Sequence, residues 1–215
     1  MRRSRLAAAL TPLLLLPALA AACDGGIKPM QPGWTWTYRD TDKDGVEFYE
    51  MRRTLTAGGY TDTYTNTDPA ANKPPATQSF RCENGAHINV TPPSIGGAEI
   101  SKLVVTGVSF PAPNLWKPGY AWTYVMTMEG RKSGFSAKAI LTFNYRILAR
   151  EKVTVPAGTF DAWKVELKGN VDAHVSVLPI RQNFSETQWV VPDIGIVKIQ
   201  RANSSSELAA LKKSP

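Results

Sequence analysis

Lys117-Pro-Gly-Tyr120-Ala-Trp122-Thr-Tyr124-Val-Met126-Thr-Met128 sets a large apolar side chain at every second position from Trp122 onward. Successive side chains of a strand point to opposite faces, so Trp122, Tyr124, Met126 and Met128 share one face, and the leading Pro-Gly supplies the turn into the strand. The same period continues downstream. Ala137, Ala139, Leu141, Phe143, Tyr145 and Ile147 stand opposite Lys138, Thr142, Asn144 and Arg146. Trp163, Val165 and Leu167 alternate with Lys164, Glu166 and Lys168, and Val171, Ala173, Val175 and Val177 with Asp172, His174 and Ser176. Half-buried antiparallel strands read this way. Val155-Pro-Ala-Gly-Thr-Phe160 carries the turn chemistry of a hairpin between two of them.

Upstream, Gln31-Pro-Gly-Trp34-Thr-Trp36-Thr-Tyr38 repeats the opening segment at an offset of 86 residues. Two structurally related halves, roughly 31–115 and 116–201, explain that recurrence better than chance likeness of two strand starts. Strands are expected in the first half near 34–39, 46–55, 60–65, 77–82, 86–91 and 101–110, with polar, Pro-containing loops at 68–75 and 91–97. Ser204-Ser-Ser-Glu207 has the pattern of a helix capping box ahead of Leu208–Lys213, so 202–215 reads as a short C-terminal helix or a frayed tail. The fold class is mainly β.

The N-terminus has a different character. Arg2, Arg3 and Arg5 precede an uncharged run from Leu6 to Ala22 that Pro12 and Pro17 interrupt. Positive flank, apolar stretch and small residues follow the order of a secretory signal, and the run is short for a membrane span of roughly 20 residues. Leu19-Ala20-Ala21-Ala22-Cys23 resembles the lipobox of bacterial lipoproteins, which implies acylation of the Cys23 sulfur and a lipid anchor in the cell envelope, facing the periplasm or the exterior. The family prefers Leu at −3, where this chain has Ala20. Ala20-Ala21-Ala22 also satisfies the rule for ordinary signal cleavage, which leaves a freely secreted protein as the other reading. Asp24 resembles the residue that retains enteric lipoproteins in the inner membrane. Two or three acyl chains suffice for stable residence at ~0.8 kcal/mol per buried methylene. Cys23 to Pro32 then reads as a tether reaching no more than ~35 Å.

Cys23 and Cys82 are the chain's two cysteines. Lipidated Cys23 leaves Cys82 a lone, buried thiol; free Cys23 allows a Cys23–Cys82 disulfide in an oxidising compartment. The expected organisation is a signal peptide at 1–22, a lipidated tether at 23–32, a β-rich domain at 33–201 and the terminal helix or tail at 202–215. Of the chain's 215 residues, 193 follow the signal; taking its three arginines from the 25 basic residues leaves 22 against 18 acidic, a net charge of about +4. That modest, scattered charge excludes a nucleic-acid reader, which would carry a basic stripe.

The Val155–Phe160 hairpin followed by Trp163-Lys164-Val165, the spacing Trp189, Gly195, Lys198, and the opening Pro118-Gly-x-x-Trp122-Thr-Tyr124 together resemble a group of uncharacterised bacterial envelope proteins. The resemblance covers roughly 117–201 and implies one curved antiparallel sheet, an unfinished barrel similar to periplasmic lipoprotein-carrier folds. Its concave apolar face would hold a lipid or a partner protein.

Catalytic and metal chemistry finds little support. Asp40-x-Asp42-x-Asp44-Gly45 matches half of a calcium loop, but the twelfth position is Met51, with Glu50 one place early. A polar hairpin turn accounts for it as well. Asp172, His174 and Ser176 lie about 7 Å apart along a strand, whereas a catalytic relay needs ~2.6–3.2 Å, so they read as a solvated face. His87 reads as a surface or edge residue with no neighbouring ligand. No cofactor is indicated, and the chain reads as non-enzymatic, with a hydrolase-type enzyme as the third alternative. Its six Trp, seven Tyr and seven Phe line a ligand cavity or fill a core. An open cavity under Trp122, Phe143 and Trp163 favours binding of an apolar ligand or envelope partner; a packed one favours a structural or assembly role.

Overall fold

The computed structural model describes residues 23, 26–93, 97–175 and 178–213. The signal-like segment 1–22, Asp24 and Ser176 lie outside the described residues. Alternating side chains produce twelve strands among the described residues: β1 (Thr35–Asp42), β2 (Gly45–Thr56), β3 (Gly59–Asn66), β4 (Ala76–Glu83), β5 (Ala86–Asn89), β6 (Glu99–Gly107), β7 (Ala121–Lys132), β8 (Phe135–Val155), β9 (Gly158–Val175), β10 (Leu178–Val191), β11 (Gly195–Gln200) and β12 (Ser205–Lys212). They form one sheet in the order β5-β4-β3-β2-β1-β12-β11-β10-β9-β8-β7-β6. Neighbours in this order pair antiparallel throughout.

The repeated segments head β1 and β7, and the glycine of each adopts a left-handed φ, 81° at Gly33 and 85° at Gly119. Glycine enters that region without steric cost, which explains why both copies carry it. The halves are not independent bodies. β1 of the first pairs with β12 at the end of the second, from Thr35↔Lys212 to Thr41↔Ser205.

That pairing corrects the expected C-terminal helix: Ser205–Lys212 is a strand. Without it, β1 and β11 would both present open edges with unpaired N–H and C=O groups. Leu208, fully buried, packs with Trp36, Met51 and Val197, and this burial overrides the local capping pattern.

The two ends of the sheet meet between β5 and the chain just after β6. His87 and Phe110 form an antiparallel bridge. The His87 N–H donates to the Phe110 carbonyl at 2.8 Å and the Phe110 N–H returns to His87 O at 3.0 Å. Ser109 Oγ donates to His87 O at 2.7 Å and accepts from the Asn89 N–H at 3.0 Å. The sheet is therefore a nearly closed barrel, and the seam explains why His87 on an edge strand is fully buried rather than at the surface.

Residues 26–30, expected to hang as a tether, are docked. Ile27 is 3% exposed and packs with Tyr60, Phe80, Phe110 and Ile147. Gly26 O accepts from the Asp193 N–H, and Pro29 O from Arg53 Nη1 at 2.7 Å. The apolar Ile27, Pro29 and Met30 give this stretch a surface to bury, which a free linker lacks.

Candidate functional site

The barrel holds a lumen, open to solvent on one side, of about 610 Å³, within the ~300–1,000 Å³ range of ligand pockets. Its wall draws residues from strands all around the sheet, Tyr38, Tyr49 and Tyr64 on one arm and Tyr124, Phe143, Tyr145 and Phe184 on the other. Several tyrosine hydroxyls are engaged with the wall. Tyr38 Oη donates to Ile196 O at 2.8 Å, Tyr49 Oη lies 2.9 Å from Ser206 Oγ, and Tyr124 Oη donates to Asn89 O. Burial holds the phenols of Tyr38, Tyr64, Tyr124 and Tyr145 well above their ordinary range and pushes Tyr49 up to about 12. All are neutral at physiological pH, so the wall is aromatic and uncharged over most of its area.

Phe143 and Phe184 meet edge to face, centroids 6.0 Å apart, across Gly169, the register partner of both. A Cβ at position 169 would come within 2.0–2.5 Å of three Phe184 ring atoms. The glycine is needed for close approach, and it lets Phe184 lie along the wall.

The charged groups at and behind the lumen wall fall into two sets, of which Glu186, Arg201 and Lys28 border the space. Arg201 Nε pairs with Glu186 Oε2 at 2.8 Å, and Gln188 Nε2 donates to Glu186 Oε1 at 2.6 Å, so this set is internally neutral. The second set is deeper. Arg53 grips both oxygens of Asp62, Nε to Oδ1 at 2.7 Å and Nη2 to Oδ2 at 2.8 Å, with both side chains almost wholly buried. Lys28 Nζ lies 3.9 Å from Asp62 Oδ2 and over the rings of Phe80 and Phe110, 4.1 Å and 4.4 Å from their centroids. Desolvation lowers the Lys28 ammonium from 10.5 to about 7, with Asp62 opposing and Arg53 adding to the shift.

Beside this cluster, Cys23 and Cys82 are joined as a disulfide with Cα atoms 5.1 Å apart, and both are buried. Their sulfurs and a ring nitrogen of His87 lie within 4.8 Å of one another. Sulfurs bound to each other offer no thiolate for a metal. His87 is the register partner of Cys82 across the β4–β5 turn, and its Nδ1 lies 3.1 Å from Tyr60 Oη. Burial, with Lys28 and Arg53 nearby, drives the imidazole down to about 3, so it is neutral. The expected surface position of His87 is thus corrected: Cys82 lies beside it across a tight turn, while Cys23 and Tyr60 arrive from segments distant in sequence.

A diacylglyceryl thioether on Cys23 and the Cys23–Cys82 disulfide need the same sulfur. In this arrangement Cys23 is 7% exposed and packed with Phe80, Phe110 and Trp116, so a lipid on its sulfur would require Cys23 to leave this place. The other sequence-derived candidates stay apart. Asp42 Oδ1 accepts from the Asp44 and Gly45 N–H groups at 2.8 and 3.2 Å, closing the β1–β2 hairpin. Asp40, its carboxyl raised by burial, faces Ser206 instead. Asp40, Asp42 and Asp44 do not bring their carboxylates within 4.8 Å of one another among the described residues. His174 Nε2 lies 3.3 Å from Asp172 Oδ1 on an exposed face. Of the three aromatics expected over a cavity, Phe143 lines it; Trp122 and Trp163 instead pack around Trp116, centroids 6.1 and 6.5 Å away.

Lys28, Arg53 and Asp62 were not singled out by sequence reasoning. A parity signal was present: Asp62 falls between Tyr60 and Tyr64 on the inward face, and Arg53 follows Met51 in the same way. A charge on an apolar strand face requires a partner.

No curated protein matches the chain. Among solved structures it is similar to a candidate exported protein with a YmcC-like fold from Bacteroides fragilis, at 21% identity and TM-score 0.54 over 88% of this chain and 100% of that one. It is also similar to a candidate lipoprotein from Parabacteroides distasonis, at 17% identity and TM-score 0.57 over 87% of this chain and 99% of that one. These likenesses establish a shared fold, the curved antiparallel sheet expected from the β8–β9 hairpin and its flanking motifs. Residues 109–212, from the closing seam through β12, match the model of the DUF3108-like family.

Proposed function

We propose that this protein is an exported, non-enzymatic envelope protein that holds an apolar molecule in the lumen of its barrel. The observation that carries this reading is the lumen itself, about 610 Å³ with aromatic rings contributed by both arms of the sheet. Among the described residues, the internally neutral Glu186–Arg201 pair and the exposed Asp172–His174 pair bring no nucleophile and base together, which supports binding over catalysis. Envelope location is supported by the signal-like N-terminus and by the descriptions of the Bacteroides and Parabacteroides neighbours.

Retention at the membrane turns on Cys23. Its burial against Cys82 supports a secreted, disulfide-bonded form. The run Leu19-Ala-Ala-Ala-Cys23 and the Parabacteroides neighbour support a second reading, a lipid anchor. Intact-mass analysis of the protein made from its own signal separates the two, because a lipidated chain carries added acyl mass and a free Cys82.

The ligand reading is tested by native mass spectrometry of the exported chain purified without detergent. The expected result is a discrete added mass that vanishes on denaturation. A bare polypeptide mass, unchanged after incubation with envelope lipid extract, would overturn the reading in favour of a structural or assembly role.

A further inference from the structure

We propose that the lumen takes an amphiphile with a single carboxylate head, seated on Lys28, its apolar body against the aromatic wall. The proposal rests on reading the lumen as a ligand chamber and adds the chemical class of what it holds. Lys28 borders the lumen, yet its side chain is only 8% exposed. Its ammonium makes no hydrogen bond among the described residues. The nearest acid oxygen is Asp62 Oδ2 at 3.9 Å, and both Asp62 oxygens are already held by Arg53. Two cations therefore share one carboxylate in a buried site, leaving one positive charge without a counter-charge.

The faces of Phe80 and Phe110 hold the ammonium by cation–π attraction but do not accept its protons as a carboxylate would. The other cation bordering the lumen, Arg201, is satisfied by Glu186. Lys28 is thus the lumen cation left for an anion, and one carboxylate matches the excess of one charge. The aromatic wall selects for an apolar body behind that head, which a small free anion lacks.

The charged and titratable groups facing Lys28 are Arg53 from β2, Tyr60 and Asp62 from β3, and His87 from β5. Tyr60 and His87 are neutral, so the site's charge near neutral pH changes through Lys28. Bound carboxylate favours the protonated amine. Binding above neutral pH is accordingly coupled to proton uptake, and affinity for the acid falls as pH rises.

The test is isothermal titration of the disulfide-bonded exported chain with laurate and with lauryl alcohol, for wild type and Lys28→Met, from about pH 6 to about pH 9. Wild type should bind laurate at least about tenfold tighter than the alcohol near pH 6, with the preference shrinking towards pH 9. Lys28→Met should lose the preference while keeping the alcohol affinity. If wild type binds both probes equally at every pH, the carboxylate assignment fails and the chamber reading stands. If neither probe binds, both fail. Should Lys28→Met not fold, the wild-type preference and its pH profile still decide.

Discussion

Asp62→Asn is the perturbation whose consequence follows most directly from the interior of this barrel. Asp62 and Arg53 have side chains 1% and 2% exposed, and Arg53 places two N–H groups on the two carboxylate oxygens at 2.7 and 2.8 Å. The third guanidinium bond, to Pro29 O at 2.7 Å, ties the N-terminal segment to β2. Asparagine keeps the shape but turns one acceptor into a donor aimed at the guanidinium, and it strands both Arg53 and Lys28 without a counter-charge. Removing one partner of a buried pair costs about 3–5 kcal/mol. Against a total stability of about 5–15 kcal/mol, that is a large fraction. Urea unfolding followed by tryptophan fluorescence should show the midpoint drop at unchanged slope. A Lys28→Met, Asp62→Asn double variant should be less destabilised than the sum of the singles, because one of the stranded cations is gone. A loss below about 1 kcal/mol for Asp62→Asn would refute the reasoning, since it would mean that water reaches the cluster and screens it.

Three further outcomes are expected. Cys82→Ala removes a cross-link spanning 59 residues, and loop-closure entropy puts the loss at about 4 kcal/mol, read by urea unfolding; equal stability with and without reductant would show that the sulfurs are not joined. His87 titrates at 6.5 when free and at about 3 when folded, so the unfolded chain binds the extra proton between those values. Stability therefore falls as pH drops from 6.5 towards 3, and His87→Gln should flatten that part of a denaturation-midpoint series. Gly169→Ala should displace the Phe184 ring into the lumen, costing about 1–3 kcal/mol by overpacking; unchanged aromatic near-UV circular dichroism would contradict it.

The strands were legible because their signal is local. Alternation marked β7, β8 and β9, and the expected segments 46–55 and 60–65 fall within β2 and β3. The helix expected at the C-terminus failed for a non-local reason: the partner edges that recruit Ser205–Lys212 are β1, more than 160 residues earlier in the chain, and β11. His87 was misjudged likewise, since its burial depends on Ser109 and Phe110 across the seam. The lumen's aromatics were visible as residues, but which of them enclose space and which pack solid depends on barrel closure. Trp122 and Trp163 pack with Trp116, while Tyr38 and Tyr49, on the first arm, border the cavity.

The segment that looked most like a linker carries the site's unpaired charge, and this changes how the N-terminus relates to the lumen. Lys28 reaches its place only because Ile27 is buried beside it, Pro29 O accepts from Arg53, and Cys23 is fastened to Cys82 five residues earlier. These contacts act on one short stretch, so they are coupled: freeing Cys23 raises the entropy of the segment that must be ordered to present the ammonium. A lipid on Cys23 would compete with that ordering through the same sulfur. A lipid on Cys23 and the seating of Lys28 beside the lumen would thus be opposing demands on Cys23 and residues 26–30.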